Sequence, residues 1–487
     1  MSDDSIAWTS FRTLEPNPYP YTPMTQSILE RGVKTSSLVA AARQDALLTT
    51  FHRGYLYFNV DELRRQLNYF VDIPMDVLVQ YFRDETDVDL DRISVRPSLA
   101  GIAHMLKMNT QFGRVFLRGL TIKHRLPDRP PVEKQSNPEL LSLMDTHLEF
   151  LTEMVSAHIL FSGLAEAYAV GIERAVSDGP SRQRVQNLIS SWTHSKTSEM
   201  ARWAANLETD EQRDVFLETF GHRCPREMEI AVPRWHDDPS TLRRVSPRSR
   251  SSPDNADPMG KLSTMLARVA LYPGSLLEQL RENPKNEWLK SYAYLRKILV
   301  EVGRRATAIG HLATSEDIFY LRLETARQFL DDPPSRNHTH SSVSRAKSRH
   351  ERNRAYSPPL FVDENFLPVE RKQAGENNGT MRGLGVSGGR VSGRAITARS
   401  PEEVDLSDGS EPQVLVTEFT DAGWTPLFFQ IDGLVMEYGS LLSHGSIVAR
   451  EAGISAVVNV DDALERIGYG DWIEVNGAEG VVRLTDI

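Results

Sequence analysis

Apolar positions divide the chain into two regimes. Up to about residue 330 they recur at helical spacing. Met144, Leu148, Leu151, Val155 and Ile159 fall four, three, four and four residues apart, one apolar stripe of a long amphipathic helix. Asn137 followed by Pro138 is an N-cap and first-turn pair for it. A second stripe runs through Leu295, Ile298, Leu299 and Val302. Both read as core-packing faces. After residue 378 short β-rich runs alternate with helical ones. The pattern predicts strands over 413–416, 433–436, 456–458, 472–475 and 480–484, with helical segments over 425–430 and 461–467. A further helix, 444–452, is ended by Gly453 as its C-terminal cap. A compact α/β domain fits this order.

Two stretches interrupt the pattern. Residues 239–258 are rich in Ser, Pro and Arg and read as a flexible loop. Residues 333–377 read as a flexible linker between domains. Within the linker, Arg336, Arg345, Lys347, Arg349, Arg352 and Arg354 face a single acid, Glu351. A localisation signal or an anion-docking strip is one reading; composition favours a solvated linker. The expected organisation is multidomain: a mostly α-helical substrate domain over 1–332, the linker over 333–377 and a small α/β domain over 378–487.

Composition narrows the function classes. A chain of 487 residues exceeds one ordinary core. No apolar run approaches 18 residues, so no membrane-spanning helix is expected. The N-terminus, Met1-Ser2-Asp3-Asp4, is acidic and carries no secretory pattern. Cys224 is the single cysteine, which precludes an intramolecular disulfide and fits a reducing compartment. A cytoplasmic location follows as the expectation. The net charge of -10 argues against nucleic acid as the main partner.

Gly383-Leu384-Gly385-Val386-Ser387-Gly388 matches G-x-G-x-x-G. A dinucleotide site needs a strand before this motif and a helix after it. Asn377-Asn378-Gly379 precede it and a strand-like run from Gly389 to Ile396 follows, so the Rossmann reading is rejected. No P-loop pattern is present. The chemistry concentrates instead at Gly439-Ser440-Leu441-Leu442-Ser443-His444-Gly445-Ser446. A strand, a tight turn and a helix start place the imidazole of His444 at a helix N-terminus. Backbone N–H groups and the positive end of the dipole gather there and stabilise a phosphate on the ring. The same field disfavours imidazolium and leaves the ring nucleophilic. Gly445 and Ser446 leave room for a phosphate and a substrate. On physics alone, a lone histidine at a helix start is more often a cap or a surface residue.

The segment from Gly439 to Glu451, with its Ile447-Val448-Ala449-Arg450-Glu451 continuation, resembles the phosphohistidine motif of the phosphoenolpyruvate-utilising enzymes. Thr420-Asp421-Ala422-Gly423-Trp424-Thr425-Pro426-Leu427-Phe428 resembles that family's "T-D-P-G-W-T-P-L-F" turn. Gly383 to Gly393 resembles the opening of its swivelling domain. Gly453 to Val458 and Gly470 to Gly477 resemble its later segments. The N-terminal part resembles the rifampicin phosphotransferase-like and phosphoenolpyruvate synthase-like branch. The residues are Thr22-Pro23-Met24-Thr25, Tyr55 to Asn59, Phe220-Gly221-His222-Arg223-Cys224-Pro225-Arg226-Glu227 with Pro233-Arg234-Trp235, and Gly310 to Leu321. Ser440, Leu442 and Ser455 depart mildly from the family pattern.

The resemblance implies a phosphotransferase, a kinase-like enzyme with a phosphohistidine intermediate. His444 is the expected catalytic residue, with Ser443, Gly445 and Ser446 supporting the phosphate. His222, Arg223 and Glu227 read equally as binders of a small-molecule substrate or as a buried polar network. Family members usually open with an ATP-grasp domain, whereas this chain starts where the substrate domain would start. The expectation is therefore that the chain alone binds no cofactor, and that ATP and Mg are used by a separate ATP-grasp partner. Alternatives are a ligase-like condensing enzyme using a phosphorylated intermediate, and a catalytically inactive ligand- or partner-binding homologue. Arg450 lies six residues after His444, about 240° round the helix, and is assigned a structural role. Cys224 is assigned to packing and His236-Asp237-Asp238 to a solvated turn. No metal site and no membrane partner are expected.

Overall fold

The structure, a computed structural model, describes residues 6–10, 19–35, 49–67, 71–72, 94–95, 126–174, 196–205, 207–242, 261–369, 379–406, 411–440 and 443–485. In the first unit, strands β1 (Trp8–Thr9), β2 (Thr49–His52) and β3 (Tyr55–Asn59) are followed by helices and, much later, by β6 (Phe361–Val362). They form an antiparallel sheet in the order β2-β3-β1-β6. The part expected to be mostly helical thus also carries a sheet. Between these strands lie helices α1 (Pro23–Thr35) and α2 (Val60–Leu67), and the separate pair β4 (Val71–Asp72) and β5 (Ser94–Val95).

The helical core is built on α3 (Asn137–Arg174), with the shorter α4 (Lys196–Ala204) and α5 (Asp210–Phe220) leading to α6 (Lys261–Ala308). Met144, Leu148 and Leu151 from the first stripe meet Leu295, Ile298, Leu299 and Val302 from the second in one buried cluster. Burying such stripes against each other is what stabilises helices of this length. The side chains of Val155 and Ile159 lie outside the described residues. The start of α3 differs by one position from the sequence expectation. Ser136 donates to the Glu139 carboxylate from both its N–H and its hydroxyl, at 2.7 Å each. Asn137 lies inside the helix and accepts from Arg305 at 2.6 Å.

At the N-terminal edge of α1, Thr22 and Thr25 are tied to a distant carboxylate. Glu229, buried, accepts the Thr22 N–H at 2.9 Å, the Thr22 hydroxyl at 2.8 Å, the Thr25 hydroxyl at 2.7 Å and the Ala231 N–H at 2.9 Å. The motif Thr22-Pro23-Met24-Thr25 thus starts a helix and clamps it to the loop after α5.

The expected linker is largely ordered structure. After α7 (Leu323–Asp331), residues Arg336–Arg354 form a helix, α8, rather than a flexible tether. The segment holds no Pro or Gly, and Thr339 and Val343, four residues apart, bury one narrow face. Lys347 pairs with the buried Asp317 at 2.5 Å. The basic composition reflects the solvated faces of this helix. Chain returning from it supplies β6, so the first unit runs to about residue 369, not 332. Residues 370–378 lie outside the described residues, as do 243–258 of the expected loop.

The second unit contains β7 (Thr380–Arg382), β8 (Leu384–Ser387), β9 (Arg390–Thr397), β10 (Gln413–Thr417), β11 (Gly433–Met436), β12 (Ser455–Val458), β13 (Trp472–Asn476) and β14 (Val481–Leu484). Its eight-stranded sheet has the order β7-β14-β13-β9-β10-β11-β12-β8. The central four strands are parallel and the flanks antiparallel. Alternate residues of the central strands enter two cores. Leu415, Leu434 and Ala456 face one, and Val414, Val416, Val435 and Val457 the other. Burial on both faces explains the continuous apolar runs. The glycine-rich decoy is strand β8, followed by β9 and no helix. Helix α9 (His444–Ala452) follows β11, with Gly453 in the left-handed region at its C-cap, φ 65°. The short α10 (Ala463–Arg466) completes the unit.

Candidate functional site

His444 is the first residue of α9, and Ser443 precedes it in extended conformation without a side-chain cap. The two nearby hydroxyls point elsewhere. Ser443 and Ser446 lie 2.9 Å apart and donate to the Ser440 carbonyl at 3.1 and 2.6 Å. They fold the turn that delivers the histidine. Gly445 is required by close approach, because a Cβ there would lie 2.3 Å from Thr420 Oγ1 and 2.7 Å from Met436 Cε. Arg450 donates to the Val386 carbonyl at 3.1 Å and fastens α9 to β8.

The imidazole is held from the neighbouring element. Thr425, fully buried, sits in the 3-10 helix Ala422–Phe429 with its hydroxyl 3.0 Å from His444 Nε2. Asp421 caps that helix, accepting the Gly423 N–H at 2.9 Å. Its other oxygen crosses to the first unit and accepts the Arg226 N–H at 2.6 Å. Burial raises the Asp421 pKa to about 6, with the two N–H donors opposing the rise and the Glu227 charge adding to it. The units also share apolar surface. Ala201 of α4 joins Trp424, Leu427, Val448 and Ala449 in one cluster, and Ala422 joins Phe216 and Trp235 in another.

Between the units lies a small cleft of about 40 Å3, partly open to solvent. Tyr21, Arg226, Glu227, Lys285, Asp421 and His444 are among its lining residues. The lining thus carries two cations, Arg226 and Lys285, and two acidic residues, Glu227 and Asp421. Glu227 is held by Arg223 through a two-point buried ion pair and lies 3.8 Å from Lys285 Nζ. His222 and Arg223 are not among the lining residues. His222 bonds Asn286 at 3.1 Å, and burial with adjacent positive charge holds it well below the usual histidine range, neutral. Cys224 accepts from the buried Arg234, and burial pushes its thiol up to about 11, an unreactive setting. Among the described residues no cluster of three or more His, Cys, Asp or Glu has metal-holding geometry. Nor is any helix there long and apolar enough to cross a membrane.

Residues 409–480 match the model of the PEP-utilising enzyme mobile domain, and residues 184–308 match the rifampicin phosphotransferase fourth domain. The second unit is thus similar to a PEP-utilising mobile domain, and part of the first to a domain of the rifampicin phosphotransferases. The chain is 31% identical over 319 residues to a rifampicin phosphotransferase of Streptomyces sviceus, covering 59% of this chain and 36% of the relative. The corresponding protein of Bacillus subtilis is 28% identical over 321 residues, with the same coverage. A prodigiosin synthesizing transferase, PigC, of Serratia marcescens is 32% identical over 294 residues, covering 55% and 32%. The chain spans about a third of the length of the curated relatives it matches.

Four residues around His444 had no role assigned from sequence: Thr425, Asp421, Arg226 and Lys285. Thr425 and Asp421 stand in the segment that carries the family resemblance, but the resemblance names no partner for them. Lys285 lies in α6 with no local signal.

Proposed function

We propose that this chain passes a phosphoryl group through phospho-His444 to a hydroxyl or carboxyl of a small molecule. The phosphoryl donor is ATP, used with Mg by a separate ATP-grasp partner. The observation carrying the proposal is the position of His444: first residue of a helix, ring held by Thr425, facing a solvent-open cleft that Arg226 and Lys285 line. The helix N-terminus favours the negative charge of a phosphoryl group bound there.

In the first half-reaction an imidazole nitrogen attacks phosphorus. The N–P bond forms as the P–O bond to the nucleotide breaks, and the proton on the other ring nitrogen passes to water. In the second, a substrate oxygen attacks phosphorus and the N–P bond breaks. For a hydroxyl acceptor its proton goes to the imidazole, which leaves neutral. Splitting one transfer into two is the general advantage of a nucleophilic intermediate. Domain motion between partner and cleft supplies the nucleophile at both stations. Prelabelled chain, freed of nucleotide and given candidate acceptors, should lose its label to a small molecule. Label that stays on the protein with every acceptor, or leaves only as inorganic phosphate, contradicts the proposal.

A second reading is a ligase-like reaction in which the phosphorylated substrate is captured by another molecule. The similarity to a synthesizing transferase favours it. Release of free inorganic phosphate in step with a condensed product separates it from simple transfer.

A further inference from the structure

The segment from Asp421 to Thr425 makes three connections within five residues. Asp421 reaches across the interface to the Arg226 N–H at 2.6 Å. It also caps the 3-10 helix through Gly423 at 2.9 Å. That helix carries Thr425, whose hydroxyl meets His444 Nε2 at 3.0 Å. The receiving side is built for this contact. Arg226 has φ 53°, in the left-handed region that a long side chain seldom adopts. Its guanidinium stacks over Tyr19 at 5.0 Å, and its N–H meets the carboxylate. Backbone held in such a conformation persists only where surrounding contacts fix it. Beside it, Gly423 lies so close to Pro225 that a Cβ would sit 2.7 Å from Pro225 Cγ.

We infer that Asp421 is a positioning residue, a latch that docks the mobile domain on the 225–226 segment and so registers His444 over the cleft. The consequence for chemistry rests on the proposed function; the docking contact does not. A carboxyl oxygen accepting a backbone N–H of the other unit makes a directional link. The shared apolar clusters supply adhesion but little register. With the latch engaged, Thr425 and His444 are carried to a fixed place. With it open, the domain keeps its fold and loses that place.

Docking is read on the full chain by single-molecule energy transfer. Fluorophores are placed on cysteines replacing Glu211 of α5 and Glu402 of the mobile domain, both exposed. Cys224 is buried and stays unlabelled. Three variants are compared with the parent: Asp421→Ala, Gly423→Ala, and Gly423→Ala with Pro225→Gly. The parent should show one dominant distance. Asp421→Ala, which removes the acceptor, and Gly423→Ala, which inserts a wedge, should each raise the population of other distances about tenfold. Pro225→Gly removes the atoms the wedge meets and should restore the parent distribution. An unchanged distribution in Gly423→Ala and in folded Asp421→Ala would overturn the latch. So would a shift in Gly423→Ala that Pro225→Gly leaves unrelieved. Absence of phosphoryl transfer from His444 in the parent, with these shifts in the variants intact, would defeat the proposed function and leave the latch standing.

Discussion

Thr425 Oγ1 lies 3.0 Å from His444 Nε2, joining the 3-10 helix Ala422–Phe429 to the first residue of α9. The hydroxyl is fully buried and fixes the ring at the cleft. A side-chain hydrogen bond of this kind is worth about 0.5–1.5 kcal/mol. Thr425→Val, close in shape, should slow phosphoryl acceptance by up to about tenfold, since about 1.4 kcal/mol is a factor of ten. Thr425→Ser should retain most of the rate. Stopped-time labelling of the three proteins checks this, and equal rates would remove Thr425 from the site.

Gly445 has no room for a side chain. A Cβ meets Thr420 Oγ1 and Met436 Cε well inside contact distance. Gly445→Ala should destabilise the second unit by about 1–3 kcal/mol through overpacking. Thermal or denaturant unfolding of the parent and variant provides the measurement.

Glu229 accepts four hydrogen bonds and clamps Thr22 and Thr25. Glu229→Ala removes the acceptor from two buried hydroxyls and two N–H groups, and should cost about 3 kcal/mol or more of stability. Denaturant titration reads the loss. A change below about 0.5 kcal/mol would show that the clamp is not needed.

Asp421 gives the stability a pH signature. Its folded-state pKa, about 6, lies above the ordinary 3.8. Between these values the folded chain holds a proton that the unfolded chain has lost. Its contribution is therefore complete below about pH 4 and disappears as pH rises through about 6. Two pH units correspond to about 3 kcal/mol at most, reduced by partial access of solvent. Asp421→Asn lacks this slope. The stability of the variant relative to the parent should rise as pH goes from 4 to 7, measured by denaturant unfolding at each pH. A constant difference across that range would contradict the assigned environment.

The second unit was legible because its signals are local. The alternation of strands with short helices, the start of α9 at His444 and the stop at Gly453 are written within a few residues of where they act. The strands could be recognised because both faces are buried, which makes each a continuous apolar run. Helix α8 was not legible, because Thr339 and Val343 are its two buried residues and the rest is mostly Arg, Ser and His. Its order comes from partners such as Asp317 that lie far away in sequence. The same reason hid Asp421 and Lys285. The first is completed by an N–H 195 positions earlier, and the second enters the cleft from the middle of a long helix. The serines beside His444 were visible, but their direction toward the Ser440 carbonyl was not.

The most direct measurement is to locate the phosphoryl group on the protein. The chain is incubated with ATP, Mg and an ATP-grasp partner, then digested under alkaline conditions that preserve phosphohistidine and mapped by mass spectrometry. The account predicts one phosphorylated histidine, at His444, and no label in His444→Ala while Thr425→Ser is still labelled. Phosphate at another residue, or undiminished labelling of His444→Ala, would contradict it.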